Sequence, residues 1–379
     1  MKKKYIIPVL LLLAACTSEE TINNSPETQP TDTAVGFSAS IGGGSPSRAD
    51  EEEDDEYLHE DFINEGGRQS RIRIVNTVNY SVPDFTDATQ YKEYAYTGDG
   101  TENWDSNEAN FTPWQEGGGF NWNEIRPTAA SFVFEAACYP NSYEPFETVP
   151  TDQSEKIEDF LKADLLLAHH RQDLDARYDL VKLRFYHAFA MIRVKIELPV
   201  TGPQVKGGFP SQAIQEVRLE NMKVGYDIDY TSAIDNNGLR PVSASEAGTA
   251  SDIKMYPLKY AQSSTEGSST VESYVYCGIV PEQTIAEGST LVSFSINTYP
   301  GTQNENNELD GAEPREYIFV RRNQNIRIRQ AYITDLQLGI KVDVPETILL
   351  NAEVQPWAER STEMPLEPDA DSAQPEISE

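Results

Sequence analysis

Long apolar runs are nearly missing from this 379-residue chain. The one at the N-terminus, Tyr5 to Ala15, falls well short of the roughly 20 residues that a membrane-spanning helix needs. Cysteine is scarce as well. Cys16, Cys138 and Cys277 are the three present, too few for a disulfide scaffold or a cysteine-rich zinc module. Cations are the third shortage: 30 Lys and Arg face 62 Asp and Glu, a balance that repels nucleic acid and anionic lipid. No glycine-rich phosphate loop, Gly-x-Ser-x-Gly elbow or His-Glu-x-x-His pair occurs. Nothing selects two of the many carboxylates as a glycosidase pair. The expectation is therefore a non-enzyme with no cofactor and no nucleic-acid partner.

What the N-terminus does have is Lys2, Lys3 and Lys4, a short apolar core and small residues, the order of a secretion signal. Leu13-Ala14-Ala15-Cys16 looks like a bacterial lipobox, which implies cleavage after residue 15 and acylation of Cys16. Two or more acyl chains anchor stably, since each buried methylene contributes about 0.8 kcal/mol. Residues 16–34 are poor in apolar side chains and read as a disordered tether. Ser18-Glu19-Glu20 resembles an acidic signal for display on the outer face of the outer membrane.

Beyond the tether the period is two. In "NIRIRQAYITDLQLGIKVDV", Ile326, Ile328, Leu336, Leu338 and Ile340 share even positions, with charged and polar residues between them, as expected of strands with one buried face. In "EVRLENMKVGYDIDY", Val217 and Leu219 are odd whereas Met222, Val224 and Tyr226 are even, which predicts a bulge or a tight bend. "VKLRFYHAFAMIRVKIEL" changes parity within His187 to Met191. Other strands are expected at 35–41, 72–78, 131–138, 271–280, 291–299 and 347–354, with one short helix in "SEKIEDFLKADLLLA". A proline- and glycine-rich stretch between Leu198 and Ala213 suggests a cut. The reading is all-β: two tandem antiparallel β-sandwiches at 35–200 and 210–358 with little helix, followed by an acidic disordered tail at 359–379.

Several stretches resemble the fimbrillin family, the subunits and accessory lipoproteins of type V pili. "VGFSASIGGGSPSRA" is similar to the family's first strand and arginine loop, and "FNWNEIRPTAASFVFEAACYP" to its tryptophan and aromatic strand. "ADLLLAHHRQDLDARYDLVKLRFYHAFAMIRVKIELP" resembles the stretch ending in a histidine-centred strand, and "ILLNAEVQPW" the last strand. The resemblance implies transthyretin-like sandwiches, lipoprotein export and polymerisation after an arginine-specific protease removes the first strand. Other pilus subunits would then be partners through strand exchange, and the outer membrane through lipid on Cys16.

The residues themselves place Arg48-Ala49 between the strand candidate 35–41 and "ADEEEDDEYLHED", a solvated acidic loop (42–66) open to proteolysis. Arg68 in "GGRQS" is the alternative cut. The aromatic stretch from Tyr80 to Trp122 invites a surface-glycan reading, with Tyr94, Tyr96, Trp104 and Trp114 as contacts, or else packs back on the sheet. His169 and His170 lie beside Asp164, Asp173 and Asp175. Neighbours on a strand point to opposite faces, however, and no metal is expected there. His187, at the parity change, reads as a hydrogen-bonded structural histidine. Cys138 and Cys277 sit in apolar strand-like runs, as free thiols or as one bond.

Overall fold

The computed structural model describes residues 33–41, 63–64, 68–79, 82–97, 108–139, 144–232, 234, 239–266, 269–301, 305, 311, 313–320, 325–341, 347–357 and 364–365. Cys16, Arg48, Ala49 and Trp104 lie outside them, as does nearly all of the acidic loop and the tail. Among these residues one α-helix, Ile157–Leu161, and one 3-10 turn, Thr77–Asn79, accompany a structure otherwise made of strands. The chain is all-β.

The first sheet differs from the expected open sandwich: it closes on itself. Its seven strands run in the order Phe37–Ile41, Phe111–Pro113, Tyr91–Tyr96, Arg71–Asn76, Ser131–Cys138, Leu166–Asp173 and Val181–His187, and the last returns to the first. Closure removes the edge that an open sheet exposes. It depends on Phe37–Ile41, which pairs with Val181–His187 in parallel from Phe37↔Val181 to Ile41↔Phe185 and touches the other side at Phe37↔Phe111. The interior holds Phe37, Ile72, Tyr94, Trp122, Phe134, Leu183 and Phe185. Val181, Leu183 and Phe185 face it at period two, with Lys182 and Arg184 turned away.

The change of parity at His187–Met191 is the passage from one sheet to the next. After His187 the chain steps through Ala188 and Phe189, both fully buried, and Ala190–Val200 enters a six-stranded sheet between Ser269–Val280 and Tyr332–Ile340. The pairing with Tyr332–Ile340 is also parallel, so the fold is not purely antiparallel. The proline- and glycine-rich stretch follows this strand rather than preceding the second sheet.

A four-stranded sheet, Ala250–Lys254, Ile214–Lys223, Thr290–Thr298 and Glu313–Val320, faces the six-stranded one across a second core. Ile192, Val194, Ile196, Leu336 and Leu338 meet Val217, Leu219, Phe294 and Tyr317 there. The predicted bulge lies between Leu219 and Met222, where register shifts and Asn221 takes φ 54. A third apolar layer joins the closed sheet to the six-stranded one. It carries Val75, Ala137 and Leu167 from the former and Cys277, Ile279 and Ile333 from the latter.

Candidate functional site

The first strand completes a closed wall. Val35, Phe37, Ala39 and Ile41 all have 8% or less of their surface exposed. Phe37 is the anchor: its ring meets Tyr94 edge-on at 4.9 Å and Phe134 at 5.5 Å. The backbone is held at its N-terminal end by Val35 N–H donating to Phe120 O at 3.0 Å and Val181 N–H donating to Gly36 O at 3.0 Å. In the middle Asn110 stands in for a neighbouring strand. Its amide donates to Ala39 O at 3.2 Å, its carbonyl accepts from Ala39 N–H at 2.9 Å, and its own N–H donates to Phe37 O at 3.2 Å. A side chain can thus replace part of a ladder where Phe111–Pro113 is too short to complete it.

Of the two expected cut sites, Arg48-Ala49 falls outside the described residues. Arg68 lies in Arg68–Gln69, a two-residue strand paired with Ile63–Asn64, and its backbone must leave that ladder before a protease can hold it extended.

The aromatic stretch divides. Tyr91–Tyr96 is a strand rather than a loop, and it carries Tyr94 and Tyr96 into the closed core, 0% and 2% exposed. Tyr94 Oη accepts the Phe120 N–H at 2.7 Å. Gly119 permits this approach, since a Cβ there would meet Pro113 Cγ at 2.7 Å. Trp122 is buried too, edge-on to Phe132 at 5.0 Å. Neither tyrosine has a face to offer a glycan. Trp114 does: it is 47% exposed, with the Arg71 guanidinium 3.6 Å over its ring.

The histidines have separate partners. His169 Nδ1 meets Glu135 Oε1 at 2.7 Å, and His170 Nε2 meets Gln172 Oε1 at 2.8 Å. Burial holds the His170 imidazole below its ordinary value. Among the described residues no three acidic, histidine or cysteine side chains gather as metal ligands. Asp164 belongs instead to His187, whose Nδ1 lies 3.0 Å from both carboxylate oxygens. The Trp357 ring stacks on this imidazole at 3.7 Å and 4°. No local signal in the sequence joins these three. They tie the end of the last long strand, Thr347–Pro356, to the closed sheet. Cys138 and Cys277 are free and fully buried.

No protein-family model and no curated protein matches the sequence. Solved structures do. A Bacteroides uniformis protein provisionally described as a cell adhesion protein is similar over 87% of this chain and 100% of its own, at 15% identity and TM-score 0.48. A Bacteroides ovatus protein of the same description is similar over 86% and 99%, at 14% identity and TM-score 0.49. The tip fimbrial protein Mfa3 of Porphyromonas gingivalis is similar over 76% of this chain and 94% of its own, at 9% identity and TM-score 0.33.

Proposed function

We propose that this chain is a structural and adhesive subunit of a cell-surface pilus, exported as an outer-membrane lipoprotein through Cys16 and assembled by strand exchange. Proteolysis after Arg48 frees Phe37–Ile41, and a strand from another subunit takes its place. The observation that carries the reading is the position of that strand: it closes the first sheet, and it lies next to the arginine-containing loop. Its loss uncovers apolar pockets that held Phe37 and Ile41 and unpaired groups along Val181–His187, the two things that an incoming strand satisfies. We read the chain as two tandem β-domains, with Ala190–Val200 counted in the second because its pairing partners lie there.

A tip or accessory position fits better than a stalk position, because the chain is a poor donor. After Trp357 come three prolines and only Met364, Leu366 and Ile377 as large apolar residues. Thr347–Pro356 would have to leave Tyr332–Ile340 on one side and Met364–Pro365 on the other, and to break the Trp357 stack on His187.

The test is to treat purified precursor with an arginine-specific protease and follow size and N-terminus. Oligomers, or capture of a synthetic donor strand, should appear in wild type and be absent in Arg48→Ala. Cleavage that leaves an inert monomer unable to take any strand would sink the proposal. Deleting residues 359–379 should leave incorporation unchanged, and abolished polymerisation in a still-folded truncate would make the tail a donor.

A further inference from the structure

Where Ser131–Cys138 and Leu166–Asp173 turn their outer face toward Tyr230 and Arg240, the molecule holds a cavity of about 250 Å³. Its floor is Arg240, 6% exposed, whose Nη2 donates to Glu135 Oε1. That same oxygen meets His169 Nδ1. The Arg240 guanidinium lies 5.3 Å from the Tyr230 ring centroid, and its Nη1 reaches Asp229 O and Ser232 O at 3.4 Å each. Its backbone is pinned by Gln330, which donates to Arg240 O at 2.8 Å. Yet Arg240 Nε, shielded from solvent, has no hydrogen-bond partner among the described residues. A buried guanidinium fixed this firmly and left one donor short is costly to keep for stability alone.

The rim adds a second cation. Arg171 is exposed, hydrogen-bonds Ser131 Oγ at 3.4 Å and forms no ion pair among the described residues. Two guanidiniums against the single lining carboxylate of Glu135 leave the cavity with a positive excess, in a chain whose acidic residues outnumber basic ones 62 to 30. Asp84 lies within electrostatic reach of Tyr230 but is not part of the lining. The remaining walls are of two kinds. Val133, Pro83 and the Tyr230 ring are apolar and flat, whereas Thr77 and His169 bring a hydroxyl and an imidazole.

We infer that this cavity binds a carboxylate-bearing sugar, one uronic- or sialic-acid residue at the end of a glycan. A carboxylate matches the guanidinium fork of Arg171, the positive charge of buried Arg240 in the floor favours the same anion, and a pyranose ring presents an apolar face to Tyr230 and hydroxyls to Thr77 and His169. The volume admits one such residue and not a chain of them. The site is independent of strand exchange: it uses no residue of the first strand, so it stands whether or not the subunit assembles.

The test is titration of the full chain with glucuronic acid, N-acetylneuraminic acid, glucose and inorganic phosphate, read by ligand-observed NMR and calorimetry. At least one acid sugar should bind with a dissociation constant on the order of 1 mM, as its few heavy atoms allow, and glucose at least tenfold more weakly. Arg171→Ala, at an exposed position, should lower acid-sugar affinity by roughly tenfold or more, and Thr77→Trp, which fills the cavity from the opposite wall, should abolish binding. Phosphate binding as tight as that of both acid sugars would reduce the site to an unselective anion hole and overturn the sugar assignment. No binding of either acid, or binding unaltered by both substitutions, would overturn the site itself.

Discussion

Replacing Asp164 by Ala removes the one partner of a fully buried imidazole. His187 Nδ1 shares a proton with the two Asp164 oxygens at 3.0 Å, His187 Nε2 has no partner among the described residues, and both side chains are at most 1% exposed. After the substitution neither ring nitrogen has a partner among the described residues, on a side chain that is fully buried. Leaving a buried hydrogen-bonding group without its partner costs about 1–3 kcal/mol, a sizeable share of the roughly 5–15 kcal/mol that holds a domain together. At about 2–4 °C per kcal/mol for a large domain, the melting temperature should fall by roughly 2–12 °C. Asp164→Asn keeps an oxygen for the Nδ1–H and should recover most of the loss. Trp357 stacks on His187, and its ring N–H has no hydrogen-bond partner among the described residues, so Asp164→Ala and Trp357→Leu should be coupled through the imidazole by about 0.5–3 kcal/mol in a double-mutant cycle. The assay is denaturant unfolding of the two single variants and the double. A loss below about 1 kcal/mol for Asp164→Ala, or equal losses for Ala and Asn, would refute the idea that this pair locks the last strand to the closed sheet.

Three further outcomes follow from the same contacts. Glu272 is buried, which raises its pKa, but hydrogen bonds from Ser211, Tyr274 and the Gln212 N–H outweigh that and hold it below its ordinary 4.5. A depressed folded-state pKa gives stability that is present above the unfolded value and lost as pH falls through the folded one. Glu272→Gln should therefore cost about 1–3 kcal/mol at neutral pH, with the gap to wild type closing as pH drops below 4.5 in acid unfolding curves. Burial pushes the Cys277 thiol up to about 12 and raises Cys138 further, so neither should react with a thiol reagent at pH 8 until denaturant is added. Asn110→Ala deletes both side-chain bonds to Ala39 and should lower stability by about 1–3 kcal/mol while speeding exchange of the Ala39 amide, measurable by hydrogen–deuterium exchange.

What the sequence revealed depended on range. Alternation located the long strands closely: Ser131–Cys138 is the stretch expected, and Ser269–Val280 and Thr290–Thr298 lie within two residues of theirs. The parity change at Leu219–Met222 marked a true bulge, because a slip of one residue turns every following side chain over. The same signal at His187–Met191 had a different cause, a strand ending and another beginning in a second sheet, and periodicity cannot separate the two. Partner choice was illegible. Nothing in "VGFSASI" says that it pairs in parallel with Val181–His187 and so closes the sheet, since period two is common to both directions. Tyr91–Tyr96 was masked by its Gly, Asn and Asp neighbours, which is why the sequence left Tyr94 and Tyr96 open between glycan contact and packing on the sheet; they are core. Pairs such as Glu135 with Arg240, 105 residues apart, and the His187–Trp357 stack leave no local trace.

The central claim is that the first strand is a temporary closure of the first sheet. N-terminal sequencing of this protein taken from assembled surface fibres tests it directly. A start at Ala49, with Phe37–Ile41 and the lipid gone, is the predicted result; a start at Cys16 in every assembled molecule would mean that the strand never leaves and that the sheet stays closed.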